Sequence, residues 1–167
     1  PKIGYVKIRD KQIPQGKILN ATISQESSGK YYCSLCCTDI EIIHFCKTQN
    51  NIGLDLGIKD FAITNDGTKI SNPKYLQKST DKLTKLQREL SRKTKGSKRW
   101  NKARIKVARM NEKIANQRTD FLQKLSTQLI KENDTVCIEN LQISNMIKNH
   151  KLAKNIADVS WYEFTRE

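Results

Sequence analysis

Between Ile52 and Ile58 the chain reads Ile-Gly-Leu-Asp-Leu-Gly-Ile, an apolar run with one carboxylate, Asp55, at its centre and a glycine on either side. A run of this length and composition forms a strand packed in a sheet. If the strand is covered, Asp55 must be paired, hydrogen-bonded or metal-bound, because burying a lone carboxylate is costly. The bland alternative is an Asp that faces solvent at a sheet edge. The pattern continues with Phe61 to Thr64, the turn Asn65-Asp66-Gly67 and a short run Lys69 to Ser71. Asp-Gly between two short strands signals a hairpin.

A long helical stretch follows. Pro73 suits a first helical turn, and Leu76, Leu83, Leu86 and Leu90 recur at helical spacing. Lys95-Gly96-Ser97 interrupts the pattern, and Ser97 can cap a second helix with Trp100, Ala103, Val107, Met110, Ile114, Phe121, Leu125 and Leu129 on one face. Two antiparallel helices joined at a glycine are expected. Asp134 to Leu141 returns to β, with Val136-Cys137-Ile138 as a buried run, and Ala153 to Thr165 begins another helix. Strand, hairpin, helical insert, strand, helix is an α/β order. Residues 1–48 are instead β-rich, with strands over Ile3–Arg9, Gly16–Gln25 and Lys30–Thr38 and a turn at Ser27-Ser28-Gly29, the end of a small barrel or sheet. The expected organisation is therefore a β-rich segment 1–48 and an α/β domain 49–167 carrying a helical insert 73–132.

A second acid, Glu139, ends the apolar run Val136-Cys137-Ile138. If both runs lie in one sheet, Asp55 and Glu139 converge and offer hard oxygen ligands suited to Mg²⁺ or Mn²⁺. Two such ions can activate water and stabilise the leaving oxygen of a phosphodiester. Asp60, Asp66 and Asp134 read as turn residues.

The helical insert is strongly basic. Arg92, Lys95, Lys98, Arg99, Lys102, Arg104, Arg109 and Arg118 stand among other lysines and arginines, against only Asp81, Glu89 and Glu112 in the stretch from Lys78 to Arg118. A solvated helix face mixes both signs, whereas this composition, with a net charge of +14 over 167 residues, is the footprint of a nucleic-acid partner. Lys59, just past the Asp55 strand, joins the candidate contacts. Trp100 sits in the apolar register and reads as a helix-packing residue. No apolar run approaches the roughly 20 residues of a membrane-spanning helix, so a membrane partner is not expected.

The five cysteines are an odd number, which favours reduced thiols in a cytoplasm. Cys33, Cys36 and Cys37, followed by His44 and Cys46, superficially offer zinc ligands, but the run from Tyr31 to Cys37 alternates like a strand and lacks the turn of a zinc knuckle.

Taken together, Gly53-Leu54-Asp55-Leu56-Gly57-Ile58-Lys59-Asp60-Phe61-Ala62, Asn72-Pro73-Lys74-Tyr75-Leu76, Asn116-Gln117-Arg118-Thr119-Asp120-Phe121, Ile138-Glu139-Asn140-Leu141 and Lys148-Asn149-His150-Lys151-Leu152-Ala153-Lys154 resemble the TnpB (OrfB) family encoded by bacterial insertion sequences. The resemblance spans about residue 50 to the end, and residues 1–48 resemble the end of that family's preceding β-rich domain. It implies a RuvC-type, RNase H-like nuclease guided by RNA that cuts DNA with Mg²⁺, with its first catalytic acid on Asp55 and its second on Glu139. The family's usual Glu-Asp-Leu is Glu139-Asn140-Leu141 here, which keeps the ligand and changes its neighbour. Family members continue into a four-cysteine zinc ribbon and a third catalytic Asp. Neither is found in this sequence, which starts at Pro1 without Met and ends within a helical pattern, so its boundaries read as those of an excerpt, and any zinc is expected in the missing segment. Asp158 lies in that last helix and is not expected to replace the third acid.

The resulting expectation is a partial RNA-guided DNA endonuclease with guide RNA and target DNA as partners, inactive alone. One rival is a non-enzymatic nucleic-acid-binding product of a shortened transposon gene. Another is a coiled-coil interaction module over 73–132, which the scarcity of acids beside the seam disfavours.

Overall fold

A computed structural model describes residues 7, 9, 15–41, 44–150 and 152–166. The chain divides into two compact units, Pro1–His44 and Phe45–Glu167. In the first, β1 (Lys17–Gln25) pairs antiparallel with β2 (Tyr31–Thr38). The turn closes through Gly29 N, which donates to Glu26 O at 2.9 Å, and Glu26 N, which donates to Lys30 O at 2.9 Å. Cys33, Cys36 and Cys37 all lie in β2. The described residues thus make a two-stranded sheet, not a closed barrel. The strand expected over Ile3–Arg9 lies outside the described residues, save Lys7 and Arg9.

The second unit is a mixed α/β domain. Its sheet contains β3 (Asn51–Leu56), β4 (Asp60–Thr64), β5 (Lys69–Ser71) and β6 (Thr135–Ile138) in the order β5-β4-β3-β6. The β3–β4 and β4–β5 pairs are antiparallel, and β3–β6 is parallel. Antiparallel neighbours need only short turns, and Gly57 serves the first of them. A Cβ there would sit 2.9 Å from the Asp60 carbonyl oxygen, so a side chain would force the backbone apart. Parallel neighbours need a long crossover, which here contains α1 (Tyr75–Ser91) and α2 (Lys98–Glu132).

The two helices form the expected hairpin. Gly96 takes φ 85° in the connecting loop, and the Ser97 side chain accepts the Trp100 N–H at 3.0 Å as the cap of α2. Lys106 lies 3.9 Å from Glu89 across the pair. At 35 residues α2 is about 50 Å long, and its C-terminal half, through Phe121, Leu122, Leu125 and Leu129, covers one face of the sheet. There Phe61 meets Phe121 and Phe164 edge-on, with ring centroids 5.2 and 5.1 Å apart.

The chain beyond β6 differs from the sequence expectation. The strand stops at Ile138 and is followed by a single turn, α3 (Ile143–Met146), and the helix expected over Ala153–Thr165 is split into α4 (Ala153–Val159) and α5 (Trp161–Phe164). Ser160 between them adopts φ 58°. An unbroken helix would set Trp161 about 140° around the axis from Ile156. The left-handed break lets Ile156, Val159, Trp161 and Phe164 all enter one core.

Asp134 ties the start of β3 to the end of α2. Its carboxylate accepts the backbone N–H groups of Thr48 at 2.8 Å and Gln49 at 2.9 Å, which hold its pKa below the ordinary 3.8, with lesser help from the Thr48 hydroxyl and nearby Lys47. A carboxylate with a lowered folded pKa contributes stability that is complete above its unfolded pKa and lost as pH falls through the folded value. Asp134→Asn is therefore expected to lower the urea midpoint at about pH 6, with the gap to wild type shrinking progressively as pH falls below about 4. A gap unchanged by acid would contradict this role.

Candidate active site and nucleic-acid interface

Alternation along β3 decides where Asp55 points. Leu54 and Leu56 are buried in the core while Asp55 is exposed. The side chain therefore lies on the sheet face opposite the helices, in a strand paired on both sides. This corrects the expectation of a buried carboxylate: Asp55 keeps its hydration and needs no compensating partner. On β6 the same alternation half-buries Val136 and Ile138 and exposes Cys137, and Glu139 just beyond is exposed too.

Strand register leads the chain towards both acids from adjacent strands. In the parallel β3–β6 pair Gly53 stands opposite Cys137 and Leu54 opposite Ile138. Continued by one residue past the end of β6, that register would set Asp55 beside Glu139 at the roughly 4.8 Å spacing of neighbouring strands. The segment leading to Asp55 is held from the other side by Asn65, whose Oδ1 accepts the Gly53 N–H at 3.3 Å and whose N–H donates to Gly53 O at 3.0 Å. Sequence reading placed Asn65 only in a turn. Carboxylates are the donor type a hard cation takes, and among the described residues no three of His, Cys, Asp and Glu gather closely enough to hold a metal ion.

The basic residues fall into separate places. Lys59 is exposed in the β3–β4 turn, and Arg92 and Lys95 are exposed between the helices. Lys98, Arg99, Lys102, Arg104 and Arg109 are exposed on α2. With about 100° of rotation per residue, Lys98, Lys102, Arg109 and Lys113 fall within a sector of roughly 60° that runs about 22 Å along the helix. Arg99 and Lys106 border that stripe, Arg104 lies outside it, and the buried Ala103, Met110 and Ile114 occupy a different face.

Arg118 is not part of this surface. Its Nη2 donates to Asp158 Oδ1 at 3.2 Å, with the two side chains 20% and 9% exposed. The same carboxylate accepts the N–H groups of Leu76 at 3.2 Å and Gln77 at 3.4 Å, at the start of α1. Arg118 and Asp158 thus clamp α1, α2 and α4 together, and the guanidinium is a structural partner instead of a phosphate contact. No local signal marks this arrangement, because Asp158 meets residues about eighty positions away. No helix among the described residues is long and apolar enough to cross a membrane.

A family described as "Probable transposase" matches residues 36–150, a span that includes Asp55, the helical hairpin and Glu139. The chain belongs to this TnpB (OrfB) family. It is 43% identical over 152 residues to a "Putative RNA-guided DNA endonuclease" of Streptomyces pristinaespiralis, an alignment covering 90% of this chain and 38% of the relative. It is 35% identical over 185 residues to "Putative RNA-guided DNA endonuclease InsQ" of Escherichia coli (strain K12), covering 100% of this chain and 45% of the relative. The chain thus spans less than half the length of these relatives.

Proposed function

We propose that this chain is the acid-bearing and phosphate-gripping part of an RNA-guided DNA endonuclease, with Asp55 and Glu139 as metal-holding catalytic acids on a RuvC-type, RNase H-like core. The observation that carries this reading is the parallel β3–β6 register, which runs up to the residues just before two exposed acids 84 positions apart in the chain, within a family whose relatives bear that name. The strand order β5-β4-β3-β6, a meander with one parallel strand added beside its first, supports the RNase H-like assignment.

Asp55 and Glu139 would hold Mg²⁺ or Mn²⁺ as anionic oxygen donors on a solvent-open face, where a phosphodiester can approach. When held there, such an ion would supply water activation and charge stabilisation on the departing oxygen. The chain's own part is to carry Asp55 on β3 and Glu139 just past the end of the adjacent β6, and to keep Asp55 steady through the Asn65–Gly53 hydrogen bonds. Guide RNA, target DNA or their hybrid would lie along the α2 stripe, read by backbone and shape while base pairing supplies sequence recognition. The alternative, a non-enzymatic binder, shares the stripe and differs in needing neither acid.

Binding by this chain should weaken steeply with salt, because each neutralised phosphate releases a counterion. Replacing Lys98, Arg99 and Lys102 with Ala should reduce the log–log salt slope on duplex DNA by up to about 2.7, from roughly 0.9 per contact. Arg118→Ala should instead leave the slope unchanged and lower stability. A slope indifferent to the triple substitution would overturn the interface.

The function is tested by cleavage. The full-length protein with guide RNA and Mg²⁺ should cut matched DNA. Asp55→Ala or Glu139→Gln should reduce the rate more than about a hundredfold, since losing even an outer partner of a metal ligand costs roughly 10–100-fold. The 167-residue chain should bind without cutting. Full activity in either substituted protein would refute the catalytic assignment, and chelator-sensitive cutting by the short chain would refute the need for a further ligand.

A further inference from the structure

A cavity of about 340 Å³ opens beside the carboxyl end of β3, on the reading of nucleic-acid binding given above but away from the α2 stripe. Its apolar walls are Ile58, in the β3–β4 turn, and Leu152, just before α4. Lys59 and Lys74 stand at its margin, and Gln77 and Asn155 project amides from α1 and α4. Neither of these two amides has a side-chain hydrogen bond within the described residues, whereas their neighbours are spoken for. Asn72 donates to Ile58 O at 2.8 Å and accepts the Lys74 N–H at 3.1 Å, which fixes the wall and holds Lys74 in a left-handed conformation at φ 51°. Asp158 also lines the cavity, but its carboxylate is engaged by Arg118 and by the N–H groups of Leu76 and Gln77.

We infer that this cavity holds one unpaired nucleotide of the bound nucleic acid. Its volume lies at the lower end of the roughly 300–1,000 Å³ of small-molecule sites. Amides that can both donate and accept match the edge of a base, aliphatic walls match its faces, and lysines at the rim match the flanking phosphates. The carboxyl ends of strands are where open α/β sheets place ligands. Ile58 lies beyond the end of β3, and the other walls come from α1, α4 and the segments before them, so a nucleotide lodged here anchors a single strand at the sheet edge on the helix side. The pocket is thus a positioning site for the strand, with a base preference set by Gln77 and Asn155.

The test uses single-stranded DNA and RNA oligonucleotides carrying 2-aminopurine in place of one base, a probe that brightens when it leaves the stack. Binding is followed by anisotropy of an end label and extrusion by 2-aminopurine emission. The chain should bind and raise the emission several-fold. Gln77→Leu combined with Asn155→Leu, both at exposed positions, should keep affinity within about twofold, since the phosphate grip is untouched, yet abolish the rise. Free adenosine monophosphate should compete poorly, which separates a strand-borne nucleotide from a free one. Binding without any rise in emission, or an equal rise in the doubly substituted chain, would overturn the pocket while leaving the nucleic-acid reading intact. Absence of binding by anisotropy would overturn both, and efficient competition by the free nucleotide would assign the cavity to a small-molecule ligand instead.

Discussion

The parallel pairing of β3 with β6 is the constraint on which the rest of the domain depends. Two parallel strands cannot be joined by a tight turn, so the chain must leave the sheet, travel and return, and the α1–α2 hairpin is part of that journey. The register is pinned by burial on one face. Leu54 and Leu56 lie in the core with Val136 and Ile138 packed against it. A slip of one residue in β3 would turn Asp55 into the core and Leu54 into water. The cost of that exchange, an apolar side chain exposed and a carboxylate desolvated, is what holds the two acids on the open face. Placement of the candidate catalytic groups is thus a by-product of packing on the opposite side of the sheet.

The clamp formed by Arg118 and Asp158 plays the corresponding part for the helices. α1 has no buried residue, so its attachment cannot rest on a deep apolar face. Asp158 satisfies two N–H groups at the first turn of α1, where the helix dipole favours a negative charge, and neutralises Arg118 of α2 at the same point. One carboxylate on α4 therefore sets where the basic hairpin leaves the domain. Removing either partner strands a partly buried charge, which is the costly way to break an ion pair. The last aspartate of the chain is thereby accounted for structurally.

Much of this was legible in the sequence because it is local. The Asp66-Gly67 hairpin, the Ser97 cap, the Gly96 break and the acid-poor run on α2 each announce themselves within a few residues, and the strand carrying Asp55 and the one leading to Glu139 were recognisable by composition. The α/β class followed from element order. What was not legible depended on distant partners. Periodicity alone could not say which face of β3 would be covered, and so left open whether Asp55 is buried or, as found, exposed. Arg118 looked like its basic neighbours until Asp158, forty positions away, was brought beside it. The break at Ser160 has no glycine or proline to mark it and exists because Trp161 and Phe164 must reach the same core as Ile156.

The adjacency of Asp55 and Glu139 can be measured without any metal or nucleic acid. In a chain whose native cysteines have been replaced, the pair Asp55→Cys and Glu139→Cys should form a disulfide under mild oxidation, because register neighbours on adjacent strands fall within the roughly 4.4–6.8 Å Cα separation that such a bond requires. The observed register pair, Asn51→Cys with Thr135→Cys, serves as the positive standard. Asp55→Cys with Thr135→Cys, about 13 Å apart along the sheet, should not close. Rapid, intramolecular closure of the 55–139 pair at the rate of the standard is the result this account predicts. Closure of the standard with no closure of the 55–139 pair would contradict it.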